Sequence, residues 1–344
     1  MWSYVGPPKG KVLVTGGSGF IASHIIDAFL DDGFEVVATV RSNEKGRAIV
    51  SSAPLLQQKN ISYVVVGDIA EEGAFDSVFK SGSAFDYVVH TASPYTLKVH
   101  DPIKDLLDPA IKGTTGILKS VKAFAPTVKR IVITSSSAAI INPLKHAQIY
   151  DETNWAPWTL EDIHIPKRAY ETSKALSEKA AWNFVETEKP NFDLATINCT
   201  FTFGPLQRSL PNLDAMNTSN HRIRDMVQGK MKGGLSPTMP VFTFVDVRDV
   251  AQAHLKAVTM PEAGGNRFYV VGGYFSNKRI ADVIQHSFPE LAARLPEDSH
   301  DDFPADVYKF DNSKSRRILG LDYIDLDKSV RDTVQSIIDR SPEL

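Results

Sequence analysis

Tyr170 and Lys174 are four positions apart in a segment that is predicted to form a helix. Residues 175–182 are rich in good helix formers, and positions four apart share one face of a helix. An ammonium beside a phenol favours the phenolate and lowers the pKa of the tyrosine, which can then donate or accept a proton. A tyrosine and a lysine on an ordinary amphipathic surface helix would have the same spacing. The spacing alone therefore does not identify a catalytic pair, and other motifs of the chain must indicate the same function.

A glycine-rich turn near the start of the chain lies between a predicted strand, residues 11–15, and a predicted helix, residues 20–30. Glycines in such a turn permit positive φ and let backbone N–H groups approach a phosphate at the positive end of the helix. Gly16 and Gly19 take these positions, and Ala22 is small enough for the helix to lie close to the strand. The turn therefore favours a bound dinucleotide over a plain turn.

Arg41 lies at the end of the second predicted strand, residues 35–41, where the type of dinucleotide is decided. Sites that prefer NAD place Asp or Glu there to bind the ribose 2′-hydroxyl, whereas an arginine suits a 2′-phosphate. Glu35 is at the opposite end of that strand, and Lys45 adds a second cation shortly after Arg41. The pattern predicts NADP, although two solvated surface charges would produce it too.

Strands and helices continue to alternate beyond this unit. Further strands are predicted over residues 61–68, 86–93 and 129–137, with helices near 75–79 and over 106–124. Such alternation is typical of an α/β fold with a Rossmann-type, doubly wound parallel sheet. Ligands of these sheets bind at the carboxyl ends of the strands, where we expect small polar residues to line the adenine and ribose channel. The residues concerned are Asp68, Thr91, Ala92 and Ser93.

Hydroxyl side chains end the strand over residues 129–137. Ser135, Ser136 and Ser137 follow Thr134 directly. An unpaired buried hydroxyl costs on the order of 1 to 3 kcal/mol, so a ligand that takes these hydrogen bonds would account for the serines. Capping of the following loop would account for them equally well.

Bulk properties narrow the classes of function. The chain has 344 residues, is 42% hydrophobic and carries a net charge of −3, which gives no basic surface for nucleic acid. It has no apolar run of the ~18 residues that a membrane span needs, and residues 1–8 lack the features of a secretion signal. Cys199 is the only cysteine, which favours a cytoplasmic protein. No histidines have metal-ligand spacing such as HExxH, so no metal site is predicted.

A set of motifs together resembles the extended short-chain dehydrogenases/reductases. They are Thr15-Gly16-x-x-Gly19-x-x-Ala22, Thr134-Ser135-Ser136, Tyr170-x-x-x-Lys174 and Phe244-Val245-Asp246-Val247-Arg248-Asp249-Val250-Ala251. A narrower set is similar to the dihydroflavonol reductase-like branch, especially the yeast and fungal methylglyoxal and aldehyde/ketone reductases. It consists of His90-Thr91-Ala92-Ser93-Pro94, Ala180-Ala181-Trp182 and the pair Arg41 and Lys45. The likeness extends over nearly the whole chain and implies reduction of an aldehyde or ketone with NADPH.

The resemblance also implies roles for single residues. Ser136 would hold and polarise the substrate oxygen, and Tyr170 would pass a proton to it. Lys174 would lower the pKa of Tyr170 and bind the nicotinamide ribose. The matching cofactor contacts are Gly16, Gly19, Phe20 and Ile21 for the pyrophosphate, Asp68 and Ile69 for the adenine, and Cys199 and Thr200 in the turn that meets the nicotinamide carboxamide.

Cys199 departs from the resembling family, which usually has proline at this position. Without proline the backbone φ is free and an N–H donor is restored, so the turn could loosen or could gain a hydrogen bond. A reactive thiol is a further interpretation, but a lone cysteine in apolar surroundings is more often a small buried hydrophobe.

The later part of the chain is predicted to supply the substrate side. Residues 1–10 are expected to be a flexible start, 11–195 an NADP-binding Rossmann domain with the catalytic residues, and 196–344 a mainly substrate-binding part interleaved with that domain. Candidate pocket residues flank the matched motifs. They are Tyr95, Ile140, Ile141, Lys167 and Phe201.

Three functions are compatible with parts of this pattern. An NADPH-dependent carbonyl reductase, acting on a small-molecule aldehyde or ketone as a monomer or homodimer, accounts for most of them. A nucleotide-sugar epimerase or dehydratase shares the serine, tyrosine and lysine but usually keeps NAD bound, and Arg41 counts against it. A non-catalytic NADP-sensing regulator would have no need for Tyr170 and Lys174 together.

Overall fold

The computed structural model of the protein describes residues 7–93, 99–165, 168–238, 241–297 and 299–341. Within them the strands are β1 (Lys11–Thr15), β2 (Glu35–Val40), β3 (Ile61–Val65), β4 (Tyr87–His90), β5 (Arg130–Ser136), β6 (Ile149–Tyr150), β7 (Asp193–Cys199), β8 (Phe201–Phe203), β9 (Thr243–Asp246), β10 (Asn266–Val270), β11 (Gly273–Tyr274) and β12 (Lys309–Phe310). The α-helices there are α1 (Phe20–Asp31), α2 (Asn43–Ser52), α3 (Asp76–Lys80), α4 (Asp108–Phe124), α5 (Ala169–Glu188), α6 (Thr218–Val227), α7 (Val247–Thr259), α8 (Asn277–Ser287), α9 (Ser313–Leu319) and α10 (Leu326–Arg340).

A seven-stranded sheet has the order β3-β2-β1-β4-β5-β7-β10, and every neighbouring pair in it is parallel. The order reverses at β1, because β2 and β3 lie on one side of it and β4, β5, β7 and β10 on the other. This doubly wound arrangement confirms the predicted α/β fold class. Ligands of such sheets bind outside the carboxyl ends of the strands at the point of reversal, which here lies between β1 and β4.

The strand β1 illustrates how both faces of the sheet are covered. Successive side chains of a strand point to opposite faces. Val12 and Val14 pack with α1 and α7 on one face, whereas Leu13 packs with α3, α4 and α5 on the other. A strand that is buried on both faces needs an apolar residue at each inner position, which explains the continuous run of these three residues.

A smaller three-stranded sheet begins directly after β7. Its order is β11-β9-β8, with β8 parallel and β11 antiparallel to β9. Phe203 of β8 and Phe244 of β9 stack with ring centroids 6.0 Å apart, and both belong to a core that includes α6, α8 and α10. Because β8 starts two residues after Cys199, this second core is held close to the carboxyl end of β7.

Some local elements were not predicted from the sequence. The strand β8 begins directly after Cys199 and Thr200, which were expected in a turn, and α2 forms where no helix was predicted. Gly46 lets α2 lie against β3, because a Cβ on Gly46 would overlap the ring of Tyr63. In the part of the chain that the structure describes, no helix has the length and apolar character that crossing a membrane would require.

Candidate active site

The glycine turn after β1 has the predicted positive φ at Gly16, whereas Gly19 is extended, with a φ of −77°. Gly16 has a φ of +67°, and a Cβ on it would lie 3.0 Å from the Cα of Ala92, so only glycine fits. Gly19 caps α1 without a side-chain hydrogen bond, and the helix starts at Phe20. The N–H groups of the first helical turn, which include those of Phe20 and Ile21, therefore have no side-chain cap and form a site suited to an anion.

Gly17 is a third constrained glycine in this turn, which the sequence prediction left out. A Cβ there would lie 2.7 Å from the Cβ of Ala38 on β2. The N–H groups of Gly16 and Gly17 donate to the side chain and the carbonyl of Thr39, at 3.2 and 2.9 Å. The turn is therefore fastened to the end of β2, which fixes its position relative to Arg41.

Arg41 and Lys45 are exposed cations at the carboxyl end of β2. Arg41 directly follows the strand, and Lys45 lies in the first turn of α2, which Ser42 caps. Neither side chain has a carboxylate within 4.0 Å in the residues that the structure describes. Both charges are consequently available to a ligand, and their contact with a 2′-phosphate stays a prediction.

Thr15 organises the segment that follows β4. Its Oγ1 accepts hydrogen bonds from the N–H groups of Thr91 and Ala92, each at 3.1 Å, and lies 2.9 Å from Nδ1 of His90. With two donors already on Oγ1, the Thr15 hydroxyl donates to His90 Nδ1, which places the imidazole hydrogen on Nε2. Burial, followed by the charge of Lys174, lowers the pKa of His90 to about 3, so the ring is neutral.

Ser136 is the last residue of β5 and lies beside Cys199 of β7 in the sheet register. Its Oγ accepts a hydrogen bond from the N–H of Ala138 at 3.1 Å. Because Oγ acts as an acceptor in this bond, the hydroxyl keeps its own hydrogen for donation to a second oxygen. The side chain can therefore polarise a carbonyl at the carboxyl edge of the sheet.

Lys174 joins the helix α5 to the same strand. Its Nζ donates to the carbonyl oxygen of Thr134 at 3.2 Å, two residues before Ser136. Burial lowers the pKa of Lys174, whereas the nearby Cys199 and Glu178 act in the opposite direction. Tyr170 lies one turn earlier on α5 and is half-buried. The structure thus brings Lys174 to the serine strand and places the tyrosine on the adjoining helical turn.

Glu178 is a buried carboxylate that the sequence prediction did not identify. It lies one turn after Lys174, and its side chain accepts hydrogen bonds from residues of β5, α5, β7 and β10. The donors are Ser135 at 2.5 Å, Trp182 at 3.3 Å, Thr196 at 3.0 Å, Asn198 at 2.6 Å and Arg267 at 2.7 Å. This cluster fixes α5 against three strands of the sheet directly behind the candidate catalytic residues.

A small polar cavity lies between these groups, behind Lys174. Its walls include His90, Ser93, Ser177 and Glu178. The Nε2 of His90 is buried and has no hydrogen-bond partner among the residues that the structure describes. In those residues no group of three or more His, Cys, Asp or Glu side chains is placed to hold a metal ion.

Cys199 and Thr200 both use their side chains within the protein. The Sγ of Cys199 donates to the carbonyl of Ser135 at 3.5 Å, and burial raises the pKa of the thiol. The hydroxyl of Thr200 donates to the carbonyl of Thr243 at 2.7 Å. Only the backbone of these two residues is therefore suited to bind a cofactor, and that role stays a prediction.

The predicted adenine and substrate residues have different surroundings. Asp68 is exposed and accepts from the N–H of Ala70, whereas Ile69 packs against α4, where a Cβ on Gly113 would lie 2.8 Å from Ile69 Cδ1. Phe201 is half-buried at the start of β8.

Two of the predicted pocket residues belong to a core. Ile140 and Ile141 are each 1% exposed and pack in a cluster with Tyr150, Tyr269 and Tyr308. Packing in this core accounts for the apolar side chains of both residues, so no substrate contact is needed to explain them. Their role as pocket walls stays a prediction. Tyr95 and Lys167 lie outside the residues that the structure describes.

Comparison with known proteins decides the family. The family model described as the NAD dependent epimerase/dehydratase family matches residues 12–272. The chain belongs to this family. The extended short-chain dehydrogenase/reductase resemblance is thereby confirmed, and the relatives below confirm its narrower form among the yeast and fungal reductases.

Several curated relatives of this family match almost end to end. Ketoreductase azaE of Aspergillus niger is 53% identical over 332 residues, which cover 96% of this chain and 98% of that protein. NADPH-dependent methylglyoxal reductase GRE2 of Saccharomyces cerevisiae is 34% identical, with 95% of this chain and 98% of that protein covered. A crystal structure of Gre2 from Candida albicans in complex with NADPH has a TM-score of 0.90 and 34% identity, and covers 96% of this chain and 99% of that one.

Proposed function

We propose that the protein is an NADPH-dependent carbonyl reductase that converts an aldehyde or ketone to an alcohol, as a monomer or a homodimer. One observation carries the proposal. Lys174 on α5 is hydrogen bonded to β5 two residues before Ser136, with Tyr170 one turn away on the same helix. The relatives named as a ketoreductase and as NADPH-dependent methylglyoxal reductases support the same reaction and the same cofactor.

The residues around the glycine turn fit NADPH. A helix N-terminus without a side-chain cap, beside Gly16 and Gly19, suits the pyrophosphate. Arg41 and Lys45, two exposed cations with no acid partner among the described residues, suit a 2′-phosphate. When bound, the nicotinamide supplies the hydride. We assign further cofactor contacts along the carboxyl edge of the sheet. They are Phe20, Ile21, Asp68, Ile69, Thr91, Ala92, Ser93, Cys199 and Thr200.

The chain's own residues supply the proton and the polarising groups. The Ser136 hydroxyl donates to the substrate oxygen and holds it at the end of β5. Tyr170 gives its phenolic proton to that oxygen as negative charge develops there. The Lys174 ammonium stabilises the resulting tyrosinate, because an adjacent positive charge favours the ionised phenol. Fixed donors of this kind stabilise an alkoxide more strongly in a partly dry site than water would.

The proposed substrate side is built from the loops around the strand ends. Its residues are Tyr95, Ile140, Ile141, Lys167 and Phe201. The division into an NADP-binding part at 11–195 and a mainly substrate-binding part at 196–344 belongs to the same proposal. We also infer a cytoplasmic location, since Cys199 is the only cysteine and is a free, buried thiol, as expected for a reducing compartment.

Turnover measurements test the proposal directly. The purified protein is mixed with NADPH and a panel of aldehydes, diketones and bulky ketones, and the absorbance of NADPH is followed. We expect oxidation of NADPH with at least one carbonyl class and a slower reaction with NADH. Purification with tightly held NAD and no turnover on any member of the panel would instead favour the epimerase or dehydratase class.

A further inference from the structure

Arg222 lies on α6, in the smaller core next to the proposed substrate side. Its guanidinium carbon is 5.0 Å from the ring centroid of Phe201, 5.9 Å from that of Phe203 and 5.0 Å from that of Phe275. The side chain is largely buried among these rings, and burial lowers the pKa of Arg222 to about 10. The group is still a cation at neutral pH.

The hydrogen bonds of Arg222 leave most of its donors unused. Nη1 donates to the side-chain oxygen of Asn277 at 2.8 Å, whereas Nε is buried without a partner in the described part of the chain. No carboxylate of the described residues lies within 4.0 Å of Arg222. The charge of Asp302 acts on it from farther away, and the carboxylate of Asp302 accepts from the N–H of Thr238.

Other poorly exposed arginines of this chain behave differently. Arg130, Arg224 and Arg267 have side chains 9%, 10% and 10% exposed, and each pairs with a carboxylate, at 2.5, 2.9 and 2.7 Å. A guanidinium that is withdrawn from water without an anion is unfavourable, and ring contacts offset only part of that cost. Among the described residues, Arg222 thus differs from these three arginines in having no carboxylate within 4.0 Å.

The position of Arg222 relates it to the reaction site. Ser136 and Cys199 are neighbours in the sheet register, and Phe201, which Arg222 covers, follows Cys199 by two residues. With about 3.3 Å of rise per strand residue, Phe201 begins β8 roughly 7 Å beyond Cys199, the neighbour of Ser136 in the sheet. A substrate whose carbonyl meets Ser136 could therefore reach Arg222 with its far end.

We propose that Arg222 binds a carboxylate of the substrate, so that the preferred substrates are oxo acids with an apolar spacer between carbonyl and carboxylate. The inference rests on the proposed reductase function and adds the substrate class to it. A guanidinium binds a carboxylate through charge-assisted hydrogen bonds, and Nη2 of Arg222 has no hydrogen-bond partner in the described part of the chain. The phenylalanine rings provide an apolar surface beside the spacer.

The test compares methyl-ketone acids of increasing chain length with their methyl esters, using NADPH absorbance. In the wild-type protein we expect kcat/KM for the acid to exceed that for the ester at least tenfold at the best chain length. Arg222→Gln should raise KM for the acid about tenfold and leave KM for the ester unchanged. For Arg222→Lys, we expect KM for the acid to lie between the values of the wild type and of Arg222→Gln. Equal changes for acid and ester, or a wild-type preference for the ester at every length, would overturn the proposal.

Arg279 offers a matched control. Its guanidinium also covers a ring, that of Phe303, but it has a carboxylate neighbour in Asp301 at 3.5 Å. Arg279→Gln should therefore leave the acid-to-ester ratio as in the wild type. If Arg222→Gln does not fold, the wild-type acid-to-ester ratio still decides the question.

A binding measurement separates this proposal from the reductase proposal. Calorimetry with saturated fatty acids of the same series of chain lengths, in the presence of NADP, needs no turnover. Binding that is lost in Arg222→Gln would support the carboxylate site, even if the protein reduced no carbonyl. The absence of reduction would by itself contradict only the reductase function. Binding that Arg222→Gln leaves intact would contradict the site.

Discussion

The Nζ of Lys174 donates a hydrogen bond to the backbone carbonyl of Thr134 at 3.2 Å. This contact joins the helix that carries Tyr170 to the strand that ends in Ser136, across 40 residues of chain. A carbonyl in a central strand is a rigid acceptor, so it fixes where the ammonium lies. The proposed chemistry depends on this position of the Lys174 ammonium beside the end of β5.

Glu178 is expected to support Lys174 as a positioning residue. Glu178→Gln leaves Arg267 without its anion, and breaking a buried ion pair costs about 3 to 5 kcal/mol of unfolding free energy. Because the carboxylate raises the pKa of Lys174, its removal should also move the alkaline limb of the kcat profile to lower pH. Chemical denaturation and a pH–rate series measure the two effects.

A double variant controls for general damage around Glu178. Glu178→Gln with Arg267→Met removes both charges, so it should recover part of the lost stability. The alkaline limb should stay displaced in the double variant. A Glu178→Gln protein with lowered stability but an unmoved pH profile would show that the carboxylate is structural only.

Arg41 is expected to select the phosphorylated cofactor. Arg41→Ala should raise KM for NADPH about 10- to 100-fold, because a charge-assisted hydrogen bond contributes about 1.5 to 3 kcal/mol. The KM for NADH should change little, since NADH has no 2′-phosphate. Arg47→Ala is a suitable control, because Arg47 is an exposed arginine of the following helix α2. A parallel loss for both cofactors would contradict the assignment.

Cys199 is expected to tolerate replacement. Its thiol is buried, and burial raises its pKa, so it is a poor nucleophile. Cys199→Ser should keep most of the activity, because serine can retain the hydrogen bond to the Ser135 carbonyl. Steady-state turnover measures this, and thiol alkylation in the native protein should be slow. Complete loss of turnover in a folded Cys199→Ser variant would show that the thiol has a role in catalysis.

Local features of the site could be predicted from the sequence, whereas its long-range contacts could not. The glycine turn and the position of Lys174 one turn after Tyr170 follow from spacing along a single element. Glu178 has the same spacing from Lys174, but its partner Arg267 is 89 residues away, so nothing local marks the pair. Arg222 was not predicted for a related reason, since only the fold shows that three phenylalanine rings surround it and that no carboxylate of the described residues lies within 4.0 Å.

The strand β8 was missed because short strands depend on their neighbours. Phe201 to Phe203 is only three residues long, and its pairing with β9 needs residues more than forty positions later. The parallel, doubly wound character of the sheet, by contrast, followed from strong alternation of apolar strands and helices, which leaves few topologies open.

Tyr170→Phe tests the central claim most directly, because it removes the phenolic hydroxyl and keeps the ring. Fluorescence titration with NADPH and single-turnover kinetics would be measured on the same preparation. We expect NADPH to bind with nearly unchanged affinity while the rate of carbonyl reduction falls at least 100-fold, the size typical of a lost general acid. Reduction at a rate close to that of the wild type would contradict the assignment of Tyr170 as the proton donor.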